Sequence, residues 1–259
     1  MSASETRLRQ GLAYLDLDLG LSDAQINQLL AYLALIVKWT KVYNLTAVRD
    51  PAGMVTHHLL DSLAVIQPLQ QQIHALGLGP DALQSTPPRP VRLLDVGSGA
   101  GLPGVVIAIC CPEISVHCVD TVAKKAAFIT QVAAALMLPK LSGIHARVEN
   151  LIDRYDIISA RAFASLADFT RWSAAALAGH GLWMAMKGKY PADEIAALPG
   201  HVNMFHVEQL QVPGLAADRC IVWMRTLPLA NAVADAALVS AGTTELPMRS
   251  FVSIELHRG

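Results

Sequence analysis

Four glycines within eight residues, Gly97, Gly99, Gly101 and Gly104, interrupt the chain between two apolar runs, Val91 to Val96 and Val105 to Cys110. Strand, glycine turn, helix is a geometry that offers bare backbone N–H groups and a helix N-terminus to a ligand. No Gly-Lys-Ser/Thr ending follows, so the turn is not a phosphate-cradling P-loop. Gly97-x-Gly99-x-x-Leu102 fits the dinucleotide fingerprint only loosely, because its last position is neither Gly nor Ala. An acid, Asp95, stands two residues before the first glycine. A second, Asp120, ends the next apolar run, Ile114 to Val119, about twenty residues on. That is where a carboxylate accepts hydrogen bonds from ribose hydroxyls. It suits a nucleoside and does not choose one cofactor.

The elements that must position these residues follow from periodicity. Residues 1 to about 68 read as helical. Ser4 is expected to cap a helix carrying Leu8, Leu12 and Leu15, and Ser22 with Gln25 forms a capping-box signature ahead of Ile26, Leu29, Leu30 and Leu33. Asp50-Pro51 is a cap followed by an N1 proline and starts another helix. Glycines and prolines across 77–90 mark a loop. From Val91 strands and helices alternate. Thr121 is expected to cap a helix from about Val122 to Leu138. Strands are expected at Gly143 to Ala146, Tyr155 to Ser159 and Gly181 to Met186, with a helix from Leu166 to Leu177. Val202 to Val212 and Arg219 to Arg225 are expected as an antiparallel hairpin at one edge. The result is an α/β, Rossmann-like, seven-stranded doubly wound sheet whose strand carboxyl ends form the binding edge. The expected division is a helical extension over 1–76, a loop over 77–90, a catalytic domain over 91–226 and a loosely attached tail over 227–259.

Composition narrows the classes. With 259 residues, 53% hydrophobic and 16% charged, the chain is globular rather than disordered. Its longest apolar run, Leu29 to Val37, is nine residues, too short for a membrane span. No signal-peptide stretch begins the chain, and Cys110, Cys111, Cys118 and Cys220 lack metal or redox spacing, which points to the cytoplasm and to no metal. A net charge of −1 argues against a general nucleic-acid coat but leaves room for a local basic face, for which Lys38, Lys41, Arg49, Lys124 and Lys125 are candidates. His57 and His58 are adjacent on a helix and are not expected to face one site. Met184 and Met186 alternate in a strand and read as core.

Seven ordered segments carry a resemblance. They are Trp39 to Asp50, His58 to Leu63, Asp95 to Gly104, Lys124 to Phe128, Arg147 to Glu149, Ser159 to Leu166 and Ala185 to Gly188. Together they resemble the bacterial glucose-inhibited division protein B family, over roughly residues 8 to 226. Thr121 stands where a serine is more usual, and the proline-containing loop and the tail depart from the pattern. The resemblance implies a class I S-adenosylmethionine-dependent methyltransferase fold with an N-terminal helical extension. It also implies transfer of a methyl group to N7 of a guanine in 16S ribosomal RNA. The expected cofactor is S-adenosylmethionine, and the expected partner is small-subunit ribosomal RNA or the assembling small subunit, acted on by a monomer without metal or membrane.

Beside that likeness, the residues divide the work. Asp95 organises the loop and reaches the cofactor amine through water. Gly97, Ser98 and Gly99 carry the methionyl part, with Leu102 packed nearby. Asp120 takes the ribose, and Val148 and Glu149 read the adenine edge. Arg161 is expected to touch both cofactor and acceptor, and Lys187 the acceptor side, making these two the catalytic candidates, with the N-terminal helices as RNA platform. No Asn/Asp-Pro-Pro-Tyr/Phe motif and no placed cysteine nucleophile argue against exocyclic amine and pyrimidine C5 acceptors. A guanine N7 has a lone pair and no proton to remove, so it needs no general base. A nicotinamide-dependent oxidoreductase and a non-enzymatic nucleotide-binding regulator are the competing readings.

Overall fold

The structure is a computed structural model, and it describes residues 2–15, 19–43, 45–78 and 89–227. The expected tail, its possible helix from Ala230 to Val239 and most of the 77–90 loop lie outside the described residues. The helices before the sheet are α1 (Ala3–Tyr14), α2 (Asp23–Tyr43), α3 (Pro51–Met54), a π-helical turn (Val55–Leu60), α4 (Asp61–Leu63) and α5 (Ile66–Ala75). Then come β1 (Arg92–Val96), α6 (Gly104–Cys110), β2 (Ser115–Asp120), α7 (Ala123–Ala135), β3 (Leu141–His145), β4 (Tyr155–Arg161), α8 (Leu166–Ser173), β5 (Leu177–Lys187), α9 (Ala192–Ala196), β6 (Val202–Leu210) and β7 (Arg219–Thr226).

The seven strands form one sheet in the order β3-β2-β1-β4-β5-β7-β6. The first five are parallel, and β7 runs antiparallel between β5 and β6, so the expected hairpin closes that edge. The chain winds outward from β1 to β3, then crosses back to β4 on the other side of β1. That reversal opens a crevice beyond the carboxyl ends of β1 and β4, where open α/β sheets take their ligands.

Period-two alternation separates two apolar layers. Leu93, Ile157, Met184, Met186 and Trp223 face one core with α1, α2, α5, α6 and α7. Leu94, Ile158, Trp183, Ala185 and Val222 face the other with α8. The N-terminal helices therefore share a hydrophobic core with the sheet. Met184 and Met186 are buried there, as their alternation implied.

The caps show where local chemistry decided the ends. Ser22 and Gln25 make the expected reciprocal box, and Gln25 Nε2 goes on to donate to the carbonyls of Ile109 and Cys110 at the end of α6. Asp50 accepts from Gly53 N at 2.6 Å, as its cap position requires. Two of the expected caps are corrected. Ser2, not Ser4, caps α1, because Ser2 is the extended residue whose Oγ accepts from Glu5 N. Asp120 Oδ1, not Thr121, takes the Val122 N–H ahead of α7, because the strand-ending carboxylate is already aimed there. That helix stops at Ala135, short of Leu138, since Met137 is left-handed (φ 53°) and Leu138 precedes a proline. Similarly, α8 gives way to a 3₁₀ turn after Ser173, and β5 starts at Leu177, four residues before Gly181.

At the opposite end of the sheet Asp156, buried, binds both Nη atoms of Arg89, at 2.8 and 2.6 Å, the N–H of Arg92 and the His180 ring. Burial alone would raise its pKa, but these donors outweigh it and hold the carboxyl below its ordinary value. Asp156→Ala is expected to cost about 2 kcal/mol, or roughly 4–8 °C in Tm. The contribution is full above the unfolded value of about 4 and fades as pH falls through the lower folded value. Thermal melts of parent and variant from pH 7 to pH 3 check this: the gap must narrow at the acid end.

Candidate active site

The glycine turn hangs between two carboxylates. Asp95, fully buried within β1, accepts from Gly104 N at 3.1 Å and from Ser159 Oγ of β4 at 2.9 Å. Asp120, at the end of β2, accepts from Gly99 N at 3.0 Å and lies 3.5 Å from Lys125 Nζ. A third tie comes from α2, where the buried Tyr32 hydroxyl donates to Ala100 O at 2.6 Å. Gly97, Gly99 and Gly101 all have positive φ, which a side chain would strain. Gly104 is tight for another reason: a Cβ there would sit 2.6 Å from Cys118 Sγ and 2.9 Å from Asp95 Oδ2.

Two cavities meet at Gly97. The smaller, about 230 Å³, is lined by Asp120, Arg147, Val148, Glu149, Phe163 and Trp172. The larger, about 500 Å³, is lined by Ser98, Gly99, Leu102, His58, Asp61, Arg161, Lys187 and Arg219, among others. The sequence candidates thus divide between adjoining hollows at the carboxyl edge. A bigger hollow of about 870 Å³, between α1 and the β6–β7 connection, touches none of the glycine-turn residues.

Asp95 lines neither cavity; its oxygens are spent within the fold. Burial raises its carboxyl to about 6, against the opposing pull of Ser159, Gly104 N–H and Arg161. A side chain at Gly97 would meet the Phe163 ring at 2.3 Å, within the protein itself. Ser98 Oγ is buried and borders the larger cavity, with the Cys118 thiol, a weak hydrogen-bonding group, as its polar neighbour. Gly99 opens onto space, with nothing nearer to a Cβ than Gly97 O at 3.9 Å.

Arg161 and Lys187 both reach the larger cavity, and both are held. Arg161 Nη1 donates to Asp61 at 2.8 Å and to His57 O at 3.0 Å. Lys187 Nζ is shared by Ala164 O and both oxygens of Glu194 on α9. His57 and His58, on the π-helical turn, both border this cavity, and His57 gives its carbonyl to Arg161 there. His58 Nε2 lies 2.9 Å from Thr46 Oγ1, and burial first, then Arg161, lowers the ring to about 4, so it stays neutral. Sequence reasoning assigned no role to Tyr32, Asp61, Phe163, Trp172 or Arg219. The available signals were an acid inside the apolar run His58 to Leu63 and an arginine opening the last strand.

Among the described residues no group of three His, Cys, Asp or Glu could hold a metal, and no helix is long and apolar enough to cross a membrane.

The sequence family described as rRNA small subunit methyltransferase G matches residues 25–222. A curated protein named ribosomal RNA small subunit methyltransferase G from Polaromonas naphthalenivorans is 64% identical over 227 residues, covering 87% of this chain and 99% of that one. Its namesake from Albidiferax ferrireducens is 68% identical over 225 residues, covering 87% and 98%. Among solved structures, TrmN from Thermus thermophilus aligns with a TM-score of 0.47 and 19% identity, over 67% of this chain and 53% of that one.

Asp95 gives a test with a definite sign. A carboxyl raised to about 6 in the fold binds its proton more tightly than the unfolded chain does, so stability falls as pH climbs from about 4 to about 6. Asp95→Asn keeps an acceptor for Gly104 N and removes that penalty. Its Tm relative to the parent is expected to rise between pH 4 and pH 7; a pH-independent difference would contradict the assignment.

Proposed function

The chain belongs to the rRNA small subunit methyltransferase G family, and from that premise we propose that it transfers a methyl group from S-adenosylmethionine to N7 of a guanine in 16S ribosomal RNA. Family membership carries the reading, and the two cavities joined at Gly97 support it. The residues fit such a cofactor. Gly99 leaves open space, Ser98 Oγ has only the weakly bonding Cys118 thiol beside it, and Asp120, although bound to two N–H groups, keeps lone pairs free for ribose hydroxyls. In the smaller cavity, which the packed Phe163 and Trp172 rings also border, Val148 and Glu149 would meet the adenine edge.

When bound, S-adenosylmethionine supplies an activated methyl carbon. The protein's part is orientation and electrostatics. Arg161 would face the cofactor or the acceptor from the end of β4, with donors to spare beyond those used on Asp61 and His57. Lys187 would set the floor through its grip on Glu194 and Ala164. Of the described residues lining the larger cavity Asp61 is the only carboxylate, and two arginines hold it. A neutral N7 acceptor, which gives up no proton, suits a site without a free carboxylate base.

Charge segregation supports RNA as the partner. No acid occurs in residues 24–49 or 121–148, although the chain carries 21. These stretches hold Lys38, Lys41 and Arg49, and Lys124, Lys125, Lys140 and Arg147. They meet where Lys124 Nζ lies 5.0 Å from the Tyr43 ring centroid. Phosphate contacts here would position the strand without reading its sequence. Residues 91–226 would then carry the chemistry, and the helices before them part of the RNA platform, in the cytoplasm.

Two outcomes check this. Purified protein with labelled cofactor should methylate small-subunit ribosomal RNA, alone or with its proteins, and digestion should yield N7-methylguanosine; label at another atom, or binding of NAD in place of S-adenosylmethionine, would overturn the reading. Gly99→Val, which adds a side chain toward open space at a strained φ, should remain folded and weaken calorimetric S-adenosylmethionine binding by more than about tenfold, equivalent to about 1.4 kcal/mol. An unchanged affinity would place the cofactor elsewhere.

A further inference from the structure

Asp61 is buried, yet it borders the larger cavity and ends two hydrogen bonds from two different strands. Oδ2 accepts from Arg161 Nη1 of β4 at 2.8 Å, and Oδ1 accepts from Arg219 Nε of β7, also at 2.8 Å. Both guanidiniums line the cavity and are about one-fifth exposed. The helix that presents Asp61 is not an ordinary α-helix. In an α register the Asp61 N–H would bond His57 O, four residues back; in the π register it bonds Thr56 O. His57 O accepts from Arg161 at 3.0 Å instead. One turn thus supplies Arg161 with a carboxylate and a carbonyl, and supplies Arg219 with the other carboxylate oxygen. Arg219 is further fixed by Nη1 donating to Asp218 O at 2.8 Å.

We propose that Asp61, presented by the π-helical turn, is a positioning residue for methyl transfer: it locks Arg161 and Arg219 into one two-armed unit at the cavity wall. The inference rests on the reading of that cavity as the transfer site. An unheld arginine has several rotatable bonds and would sample many orientations. Two arginines facing one cavity would also repel each other, and a shared carboxylate removes one of the two net charges. The unit keeps a net single positive charge, and each fork keeps N–H groups that Asp61 does not use. Orientation of this kind acts on the rate of the bound complex more than on encounter with RNA, which the lysine face governs.

Single-turnover methylation at saturating RNA and cofactor tests it, with activity of the parent as the separate control on the functional reading. Variants are judged as ratios to the parent, at equal folded fraction by circular dichroism. Asp61→Asn keeps the size and loses the charge; its rate should fall ten- to a hundredfold, while cofactor and RNA dissociation constants change less than about threefold. Asp61→Ala should regain several-fold of its rate with added formate, a small carboxylate able to bridge the arginines from the cavity, whereas Asp61→Asn should not respond. A purely structural role would lower the melting temperature and show no formate response. If Asp61→Asn does not fold, Asp61→Glu decides: it keeps the charge, displaced by one methylene, and should still lose at least tenfold in rate. A parent-like rate in the folded Asn or Glu variant, or a folded Ala variant indifferent to formate, overturns the proposal.

Discussion

A single buried carboxylate, that of Asp95, sets the geometry on which the rest depends. It sits within β1, takes the Ser159 hydroxyl from β4 and the first N–H of α6, and so fixes the angle at which the chain leaves the sheet. Burying a carboxylate is costly unless hydrogen bonds satisfy it, and burial raises the Asp95 pKa even against these two donors. What the fold gains is a defined turn. With α6 drawn down onto Asp95 and Cys118 at Gly104, the backbone between has to bulge outward, and Asp120 and Tyr32 catch it on either side.

The same crowding explains how the two faces of the sheet come to serve one edge. Helices from before the sheet pack against one apolar layer and reach the turn through Tyr32, while the segment after β4 reaches it from the other side through Phe163, whose ring lies against Gly97. Ala162, just before that ring, has a left-handed φ of 50°, an unusual conformation for a residue with a Cβ. Strain of this sort collects beside functional sites.

Much of this was legible in the sequence where the signal is local. The glycine spacing, the acid ending β2, the Ser22–Gln25 box and the alternating elements all follow from short-range chemistry, and the seven-stranded α/β sheet with its edge hairpin formed as expected. What could not be read depends on distant residues. Nothing near Asp61 in sequence announces that it meets arginines 100 and 158 positions away. The π register that presents Asp61 has no composition cue. Thr121 looked like a cap because the competing acceptor, Asp120, was already assigned to a ligand. The carboxylates that hold Arg161 and Lys187, Asp61 and Glu194, come from a helix before the sheet and a short one after β5, and no local pattern pairs them.

The position of β7 has a consequence for how the protein is made. Although it lies between β5 and β6, it is the last of the described strands to leave the ribosome, and it brings Arg219 with it. Until then the nascent chain owns the whole glycine turn and both of its carboxylates but presents β5, an eleven-residue strand with an apolar carboxyl half, as a bare edge. Synthesis stopped short of residue 219 yields a chain with an open wall and an adhesive flank. Completion of the cavity wall and protection of the β5 edge therefore arrive together, with β7.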